Sequence, residues 1–247
     1  PDGRQALPHL AAAFYGYPAR KLTMLGVTGT DGKTTTVNLV YHIMQAAGLK
    51  VGMISTVNAV IGQQVLDTGF HVTTPDAPDV QRYLAQMVEA GLTHAVLETT
   101  SHGWAKYRVD ACEFDVGVVT NITHEHLNYH GTYEAYRAAK ARLFTSLAET
   151  PPKPQVNPRL AVLNRDDSSY GYLSDTTGVH QVTYGFDPLA DLCPEQVEHQ
   201  PGSLSFTVCG LGLRLPLSCL LAGEFNVSNC LAGVQTARGT DWSLYSS

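Results

Sequence analysis

Gly26-Val27-Thr28-Gly29-Thr30-Asp31-Gly32-Lys33-Thr34-Thr35-Thr36 stands between the apolar run of residues 22–25 and a helical pattern that starts at Val37. A strand, a glycine-bearing turn and a helix in that order make a phosphate cradle. Gly29 and Gly32 admit backbone angles closed to other residues, so that successive N–H groups converge on an oxyanion at the helix N-terminus. Lys33 adds a point charge, and Thr34 is placed to offer its hydroxyl to magnesium, which takes few protein oxygens in triphosphate sites. The strict pattern G-x-x-x-x-G-K-[ST] has glycine where this chain has Val27, so the loop is a variant. Its plainest alternative is an ordinary strand-to-helix turn. The expectation is a nucleoside triphosphate site, with Gly29, Thr30, Asp31, Gly32, Lys33, Thr34 and Thr35 around the phosphates.

Outward from the loop the chain alternates strand and helix patterns. Residues 21–27 read as a strand, and residues 33–47 as a helix stopped by Gly48. Residues 51–55 form a further strand and residues 58–66 a hairpin around Gly62. Asp76 is expected to cap a helix with Val80, Leu84, Met87 and Val88 on one face and Gly91 at its end. Residues 94–98 and 114–120 are short apolar runs, the second rich in valine, suited to buried parallel strands. Residues 133–147 repeat at helical spacing, the proline-rich stretch 151–158 reads as a loop, and residues 160–164 as a strand. Residues 197–217 suggest short antiparallel strands, and residues 225–237 a helix that Gly239 would stop. The fold class is therefore α/β: a P-loop-type, mostly parallel sheet flanked by helices, with a small antiparallel β appendage in the C-terminal third.

Composition narrows the function. Hydrophobic content of 44% and charged content of 15% over 247 residues describe a globular core of ordinary size. A formal charge of −6, with 16 Lys and Arg spread thinly, disfavours nucleic acid as a partner. No run approaches the ~18 apolar residues of a membrane span, and the expected location is the cytoplasm. The five cysteines are an odd number without C-x-x-C spacing, read as buried or incidental thiols of a reducing compartment.

In a parallel α/β sheet, ligands gather beyond the carboxyl ends of the strands. Glu98, where the run 94–97 ends, is placed to hold magnesium directly or through water; the alternative is a carboxylate paired with a nearby lysine. Asn121, a candidate for the ATP site, lies just past the next strand in the segment Thr120 to Gly131, in which His124, Glu125, His126 and His130 cluster. A zinc site through the three histidines is one possibility for that cluster, and spacing alone does not choose among them or fix the metal.

G-V-T-G-T-D-G-K-T-T-T, E-T-T-S-H-G, T-N-I-T-H-E-H-L-N-Y-H-G-T-Y-E-A-Y-R-A-A-K-A-R-L-F, L-N-R-D-D and L-A-G-E-F-N-V-S-N occur in that order. Together they resemble the central ATP-binding domain of the Mur ligases, with S-H-G and H-L-N-Y-H-G-T-Y favouring the MurE branch. The resemblance implies an ATP-dependent carboxylate-amine ligase that extends UDP-MurNAc-dipeptide by one amino acid through an acyl phosphate in peptidoglycan synthesis, acting as a monomer with ATP and Mg²⁺. It implies that Lys33 contacts the β- and γ-phosphates and that Thr34 and Glu98 share one magnesium. His126 is implied as ligand of a second magnesium, and Lys140 matches a lysine that family members carry as a carbamate. From its own pattern Lys140 reads instead as a helix-face lysine with its head in water. The same resemblance gives Thr73, Thr74, Ser101 and Arg108 to the UDP-muramoyl substrate. It places Asn164 and Asn226 near the adenine, although either asparagine suits a turn or helix cap.

Two features depart from the pattern. The family usually shows D-H-L-D where this chain has Glu125-His126-Leu127-Asn128. Family members also carry N-terminal and C-terminal domains. Here residues 1–20 read as a remnant of the first or a linker, residues 21–247 as the central domain with the β appendage inside 159–220, and the amino-acid-binding domain as absent. The expectation is a chain that keeps the ATP machinery with little activity by itself; a non-catalytic or regulatory ATP-binding module is the alternative.

Overall fold

The computed structural model describes residues 2–68, 74–123, 127–155, 157 and 159–240. In chain order the elements are α1 (Gly3–Phe14), a 3-10 turn (Pro18–Lys21), β1 (Thr23–Thr28), α2 (Lys33–Ala46), β2 (Val51–Ile54), β3 (Asn58–Ile61), β4 (Gln64–Asp67), α3 (Ala77–Glu89), β5 (His94–Glu98), α4 (Ser101–Ala105), β6 (Val116–Val119), α5 (Leu127–His130), α6 (Tyr133–Glu149), β7 (Leu160–Asn164), α7 (Tyr170–Thr176), β8 (His180–Tyr184), β9 (Cys193–Gln200), β10 (Ser203–Gly210), β11 (Leu213–Cys219) and α8 (Phe225–Gly239). Eight strands form one sheet in the order β4-β3-β2-β5-β1-β6-β7-β8, parallel except for the β3–β4 hairpin at its edge. β9, β10 and β11 form a separate antiparallel sheet. The expected α/β class and its small β appendage are both present.

Alternate residues of β1 feed two cores, as the period of a strand requires. Met24 packs with α3 and α6 residues such as Leu84 and Phe144, whereas Leu25 and Val27 pack with Val37 and Val40 of α2 and Leu231 of α8. The small sheet turns Leu204, Phe206 and Val208 into this second core. Helices therefore cover both faces of the parallel sheet, as that architecture demands.

One pair of glycines sets the position of the long helix α6. Gly26 of β1 and Gly117 of β6 are register neighbours, and together they leave a bare strip on the sheet. A Cβ on Gly26 would come within 2.7 Å of Leu143 Cδ1, and one on Gly117 within 3.2 Å of Leu143 Cγ and Leu147 Cδ1. α6 thus lies closer to the strands than side chains would permit. Lys140, three residues before Leu143 and on the same helical face, is carried to the end of β1.

The proline-rich loop is anchored by charge. Lys153 and Asp115 form an ion pair of 2.6 Å with side chains 1% and 0% exposed. Lys153 also donates to the Leu22 carbonyl, and Met24 N–H donates to the same Asp115 oxygen. Burial pushes the Asp115 carboxyl up and the Lys153 amine down, against the mutual attraction that opposes both shifts.

Three local expectations are corrected. Asp76 occupies the position before α3, but its carboxylate pairs with Arg108 at 2.9 Å and makes no cap bond. Gly239 is the last residue of α8 and no left-handed stop; a Cβ there would collide with the side chain of Leu160. Asn226 is inside α8, one residue past its start, and does not cap it. Among the described residues no helix is long and apolar enough to cross a membrane.

Candidate active site

The loop between β1 and α2 is fixed from outside before any ligand is considered. Gly32 takes φ of 77°, the left-handed region, and a Cβ there would strike the side-chain amide of Asn229. A Cβ on Gly29 would strike the Thr120 hydroxyl. The Asn121 carbonyl accepts from Thr30 N–H at 2.7 Å and its side-chain oxygen accepts from Asp31 N–H at 3.0 Å. Thr120 Oγ1 and Asn121 Nδ2 both donate to the Asp31 carbonyl, at 2.6 and 3.2 Å. Intrahelical bonding of α2 begins with Thr36 N–H donating to the Gly32 carbonyl at 2.8 Å. The N–H groups of the first turn therefore point out of the helix end, where its dipole favours an anion.

A cleft of about 620 Å³ opens at this helix end, lined by Asp31, Gly32, Thr35, Thr120, Asn121, Thr123, Asn164, Phe225, Ser228 and Asn229. Asn164 ends β7, donating to the Thr120 carbonyl at 2.6 Å while its oxygen accepts from Asp166 N–H at 3.0 Å. Asn226 donates to the Ala222 carbonyl at 2.8 Å and accepts from Asn229 Nδ2 at 3.0 Å. Asn226 thereby positions Asn229, which packs against Gly32. Lys33 Nζ donates to the Thr30 carbonyl at 2.7 Å, which keeps its charge beside the loop.

Glu98 links the loop to a second group of residues. It is 1% exposed at the end of β5, and its Oε2 accepts from Thr34 Oγ1 at 2.9 Å and from Thr56 N–H at 3.1 Å. Its backbone carbonyl faces Thr74 Oγ1 at 3.5 Å. Thr74 Oγ1 lies 3.0 Å from Thr100 Oγ1, and the Thr74 carbonyl accepts from Arg108 Nη1 at 2.7 Å. Ser101 is buried at the start of α4, whose first turn is capped by Thr100. Thr74, Ser101 and Arg108 thus gather on one side of Glu98, with the phosphate loop on the other.

Lys140 is 2% exposed, so the solvent-facing alternative is excluded. Its Nζ donates to the Gly29 carbonyl and stands 4.6 Å from the centroid of the Tyr136 ring. Tyr136, one helical turn earlier, places its hydroxyl 3.1 Å from Thr30 Oγ1, which in turn accepts from Thr123 N–H at 3.0 Å. The Thr30 side chain is occupied inside the fold, although its neighbours Asp31 and Gly32 reach the cleft. α6 is therefore the floor beneath the loop.

Thr73, His124, Glu125 and His126 lie outside the described residues, as does the side chain of Asn128. The described part of the histidine cluster is His130, whose ring stands 5.5 Å from that of His102 and 5.4 Å from that of Tyr136. Among the described residues no group of three or more His, Cys, Asp and Glu is arranged to hold a metal. Sequence reasoning missed Phe225, Ser228, Asn229 and Tyr136. Phe225, the first residue of α8, stands 69% exposed at the edge of the cleft, an exposure that the sequence does not signal.

The donors present fit a nucleotide triphosphate with magnesium. The loop is a cradle with space and angles that demand glycine at Gly32, and Thr34 with Glu98 is a hydroxyl-carboxylate pair of the hard oxygens magnesium takes. Residues 27–237 match the model of the Mur ligase middle domain. The chain is 39% identical over 244 residues to the UDP-N-acetylmuramoyl-L-alanyl-D-glutamate–2,6-diaminopimelate ligase of Geobacillus thermodenitrificans, covering 99% of this chain and 49% of that protein. It is 41% identical over 243 residues to a UDP-N-acetylmuramyl-tripeptide synthetase of a Roseiflexus species, covering 96% and 48%. A solved UDP-N-acetylmuramoyl-L-alanyl-D-glutamate–2,6-diaminopimelate ligase superposes with a TM-score of 0.82 at 26% identity, over 99% of this chain and 51% of that one. A Mycobacterium tuberculosis folylpolyglutamate synthase solved with ADP and AMPPCP shares the fold, with a TM-score of 0.75 at 15% identity over 95% and 58%. The chain spans about half the length of the curated relatives it matches. The glycine-cradled loop, the Thr34–Glu98 pair and the buried Lys140 sit inside the matched segment, and the chain belongs to the Mur ligase family through its middle domain.

Proposed function

We propose that this chain is the ATP-handling part of a ligase that joins the terminal carboxylate of UDP-MurNAc-dipeptide to an amino acid in peptidoglycan synthesis. The observation that carries the proposal is Glu98, whose carboxylate bonds Thr34 of the phosphate loop while its carbonyl meets Thr74 of the Thr74–Ser101–Arg108 group. A phosphate held at the loop and a carboxylate held by that group would meet beside one acidic side chain. The first-turn N–H groups of α2 and Lys33 bind the β- and γ-phosphates, and Asn164 and Asn226 lie on the adenine side. Thr34 and Glu98 would hold one magnesium, and by the resemblance His126 and Lys140, the latter as a carbamate, would serve a second. Magnesium, when bound, offsets charge on the phosphates and the incoming carboxylate.

In the reaction a substrate carboxylate oxygen attacks the γ-phosphorus, the bond to the β-phosphate oxygen breaks and ADP leaves. The amino acid's amine then attacks the acyl carbon of the acyl phosphate, and phosphate departs as the amine loses its proton. Lys33 and the loop N–H groups hold the triphosphate in line, and Arg108 holds substrate through its planar fork. Phosphoryl transfer leaves the protein little covalent work, so positioning and charge supply the rate. Within this proposal the protein is a cytoplasmic monomer.

The test is to graft these residues in place of the matching segment of the Geobacillus thermodenitrificans ligase and to measure ADP release. Release that requires both UDP-MurNAc-dipeptide and diaminopimelate or lysine is expected, with little or none from the 247-residue chain alone. ATP binding without turnover in the graft would favour a regulatory module instead, and amide formation by the isolated chain would contradict the inactivity proposed for it.

A further inference from the structure

The five cysteines are unequal. Cys112 is fully buried, and Cys193, although opposite Cys209 in strand register, directs its thiol to the Asp187 and Ala190 carbonyls at 3.3 and 3.4 Å. Cys209 instead accepts from Arg214 Nη1 at 3.3 Å. Cys219 and Cys230 differ from these: their sulfur atoms lie 3.8 Å apart, one at the end of β11 and the other in α8. Cys219 is half-buried and lines a cleft of about 450 Å³ between α2 and the β11–α8 turn, so a small oxidant can reach it. Cys230 is 2% exposed and does not line that cleft. Burial and the neighbouring Cys219 push the Cys230 thiol up to about 12.

We propose that Cys219 and Cys230 form a redox-modification site, in which a peroxide converts the pair to a disulfide that tightens the turn beside the nucleotide cleft. The Cys219 thiolate sulfur attacks a peroxide oxygen, the O–O bond breaks, and the hydroxide released takes up a proton, leaving a sulfenic acid. The Cys230 sulfur then attacks the Cys219 sulfur; the S–S bond forms, the S–O bond breaks, and hydroxide leaves with the Cys230 proton as water. Two thiols lose two electrons, and hydrogen peroxide becomes two molecules of water. The sulfur atoms must close by about 1.8 Å to reach bonding distance. That movement draws Leu220 to Glu224 toward α8 at the residue following Asn229, which packs against Gly32. Phe225, Asn226 and Asn229 all lie within the closed loop. The effect on the cleft rests on the nucleotide reading above, whereas disulfide formation does not.

The experiment uses the 247-residue chain, hydrogen peroxide as oxidant, non-reducing tryptic mapping and calorimetry with ATP and Mg²⁺. Both cysteines fall in one tryptic peptide, residues 215–238, and the bond lowers its mass by two hydrogens. That mass loss, reversal by dithiothreitol and a roughly tenfold weaker ATP affinity of the oxidised chain are expected. In Cys230→Ala, Cys219 is expected to appear as a sulfenic acid or higher oxide and the mass loss to vanish. Oxidation of Cys219 in the wild-type chain without the mass loss would overturn the site. A disulfide that leaves ATP affinity unchanged would overturn its coupling to the cleft, and a reduced chain that fails to bind ATP would count against the nucleotide reading alone.

Discussion

Lys33→Ala will weaken ATP binding by the folded chain about 10- to 100-fold, because it removes a charge-assisted contact of ~1.5–3 kcal/mol from the phosphate loop. In the grafted ligase the loss in turnover will be larger, about 10²–10³-fold, since a cation aimed at the transferring group stabilises developing charge more than ground-state charge. Lys33→Arg will not restore the rate, because a bulky planar fork cannot take the place of a compact ammonium. Lys33 is half-buried and donates to the Thr30 carbonyl, in a loop that Asn121 already holds through Thr30 N–H and Asp31 N–H. The melting temperature will therefore shift little. Calorimetry and thermal unfolding on the same samples check both halves, and a large fall in melting temperature would assign Lys33 to the fold instead of the ligand.

Lys153→Met will destabilise the chain by about 3–5 kcal/mol, because it leaves the Asp115 carboxylate buried without its cation. The Asp115 pKa is already raised by burial, and removing Lys153 removes an influence that lowers it, so in the variant it rises further. For an acid whose folded-state pKa lies above the unfolded one, stability is present below the unfolded pKa and is lost as pH rises through the folded value. The deficit of Lys153→Met relative to wild type will therefore be smaller near pH 5 than near pH 8. Asp115→Asn combined with Lys153→Met will recover most of it, since an amide oxygen can still accept from Met24 N–H. Denaturant unfolding at the two pH values measures this, and a deficit that does not change with pH would show that lost packing of the lysine stem is responsible.

The parts of this structure that were legible in the sequence are those set by local pattern. Gly32 before Lys33, the apolar runs of β5 and β6, and Gly48 and Gly91 as helix stops all express backbone angles or periodicity within a few residues. α7 has only seven residues, with Leu173 as its sole buried side chain, and offered no period to detect. β8 begins with the polar pair His180-Gln181 and so lacks the apolar run that marked its neighbours. Residues 1–20 read as a domain remnant or linker, and α1 there shows no apolar stripe of large residues: it buries the small Pro8, Ala11 and Ala12 while Leu10 and Phe14 face outward.

Within the site, the difference between Lys140 as a surface lysine and as a buried one is a matter of tertiary register. The pairing of Gly26 with Gly117 lets α6 lie low on the sheet, where the Lys140 amine meets the Gly29 carbonyl. Asp76 failed as a cap for a similar reason, because Arg108 arrives from a distant segment and takes its carboxylate. Asn229 was missed because its role is to fill the space beside a glycine nearly two hundred residues earlier, which no spacing rule encodes.

Titration of the folded 247-residue chain with ATP in the presence of Mg²⁺, followed by calorimetry, tests the central claim most directly. Saturable heat with one nucleotide bound per chain, lost when Mg²⁺ is chelated and weakened in Lys33→Ala, is the predicted result. No saturable heat from a sample whose unfolding transition is intact would contradict the assignment of the glycine-cradled loop to a triphosphate.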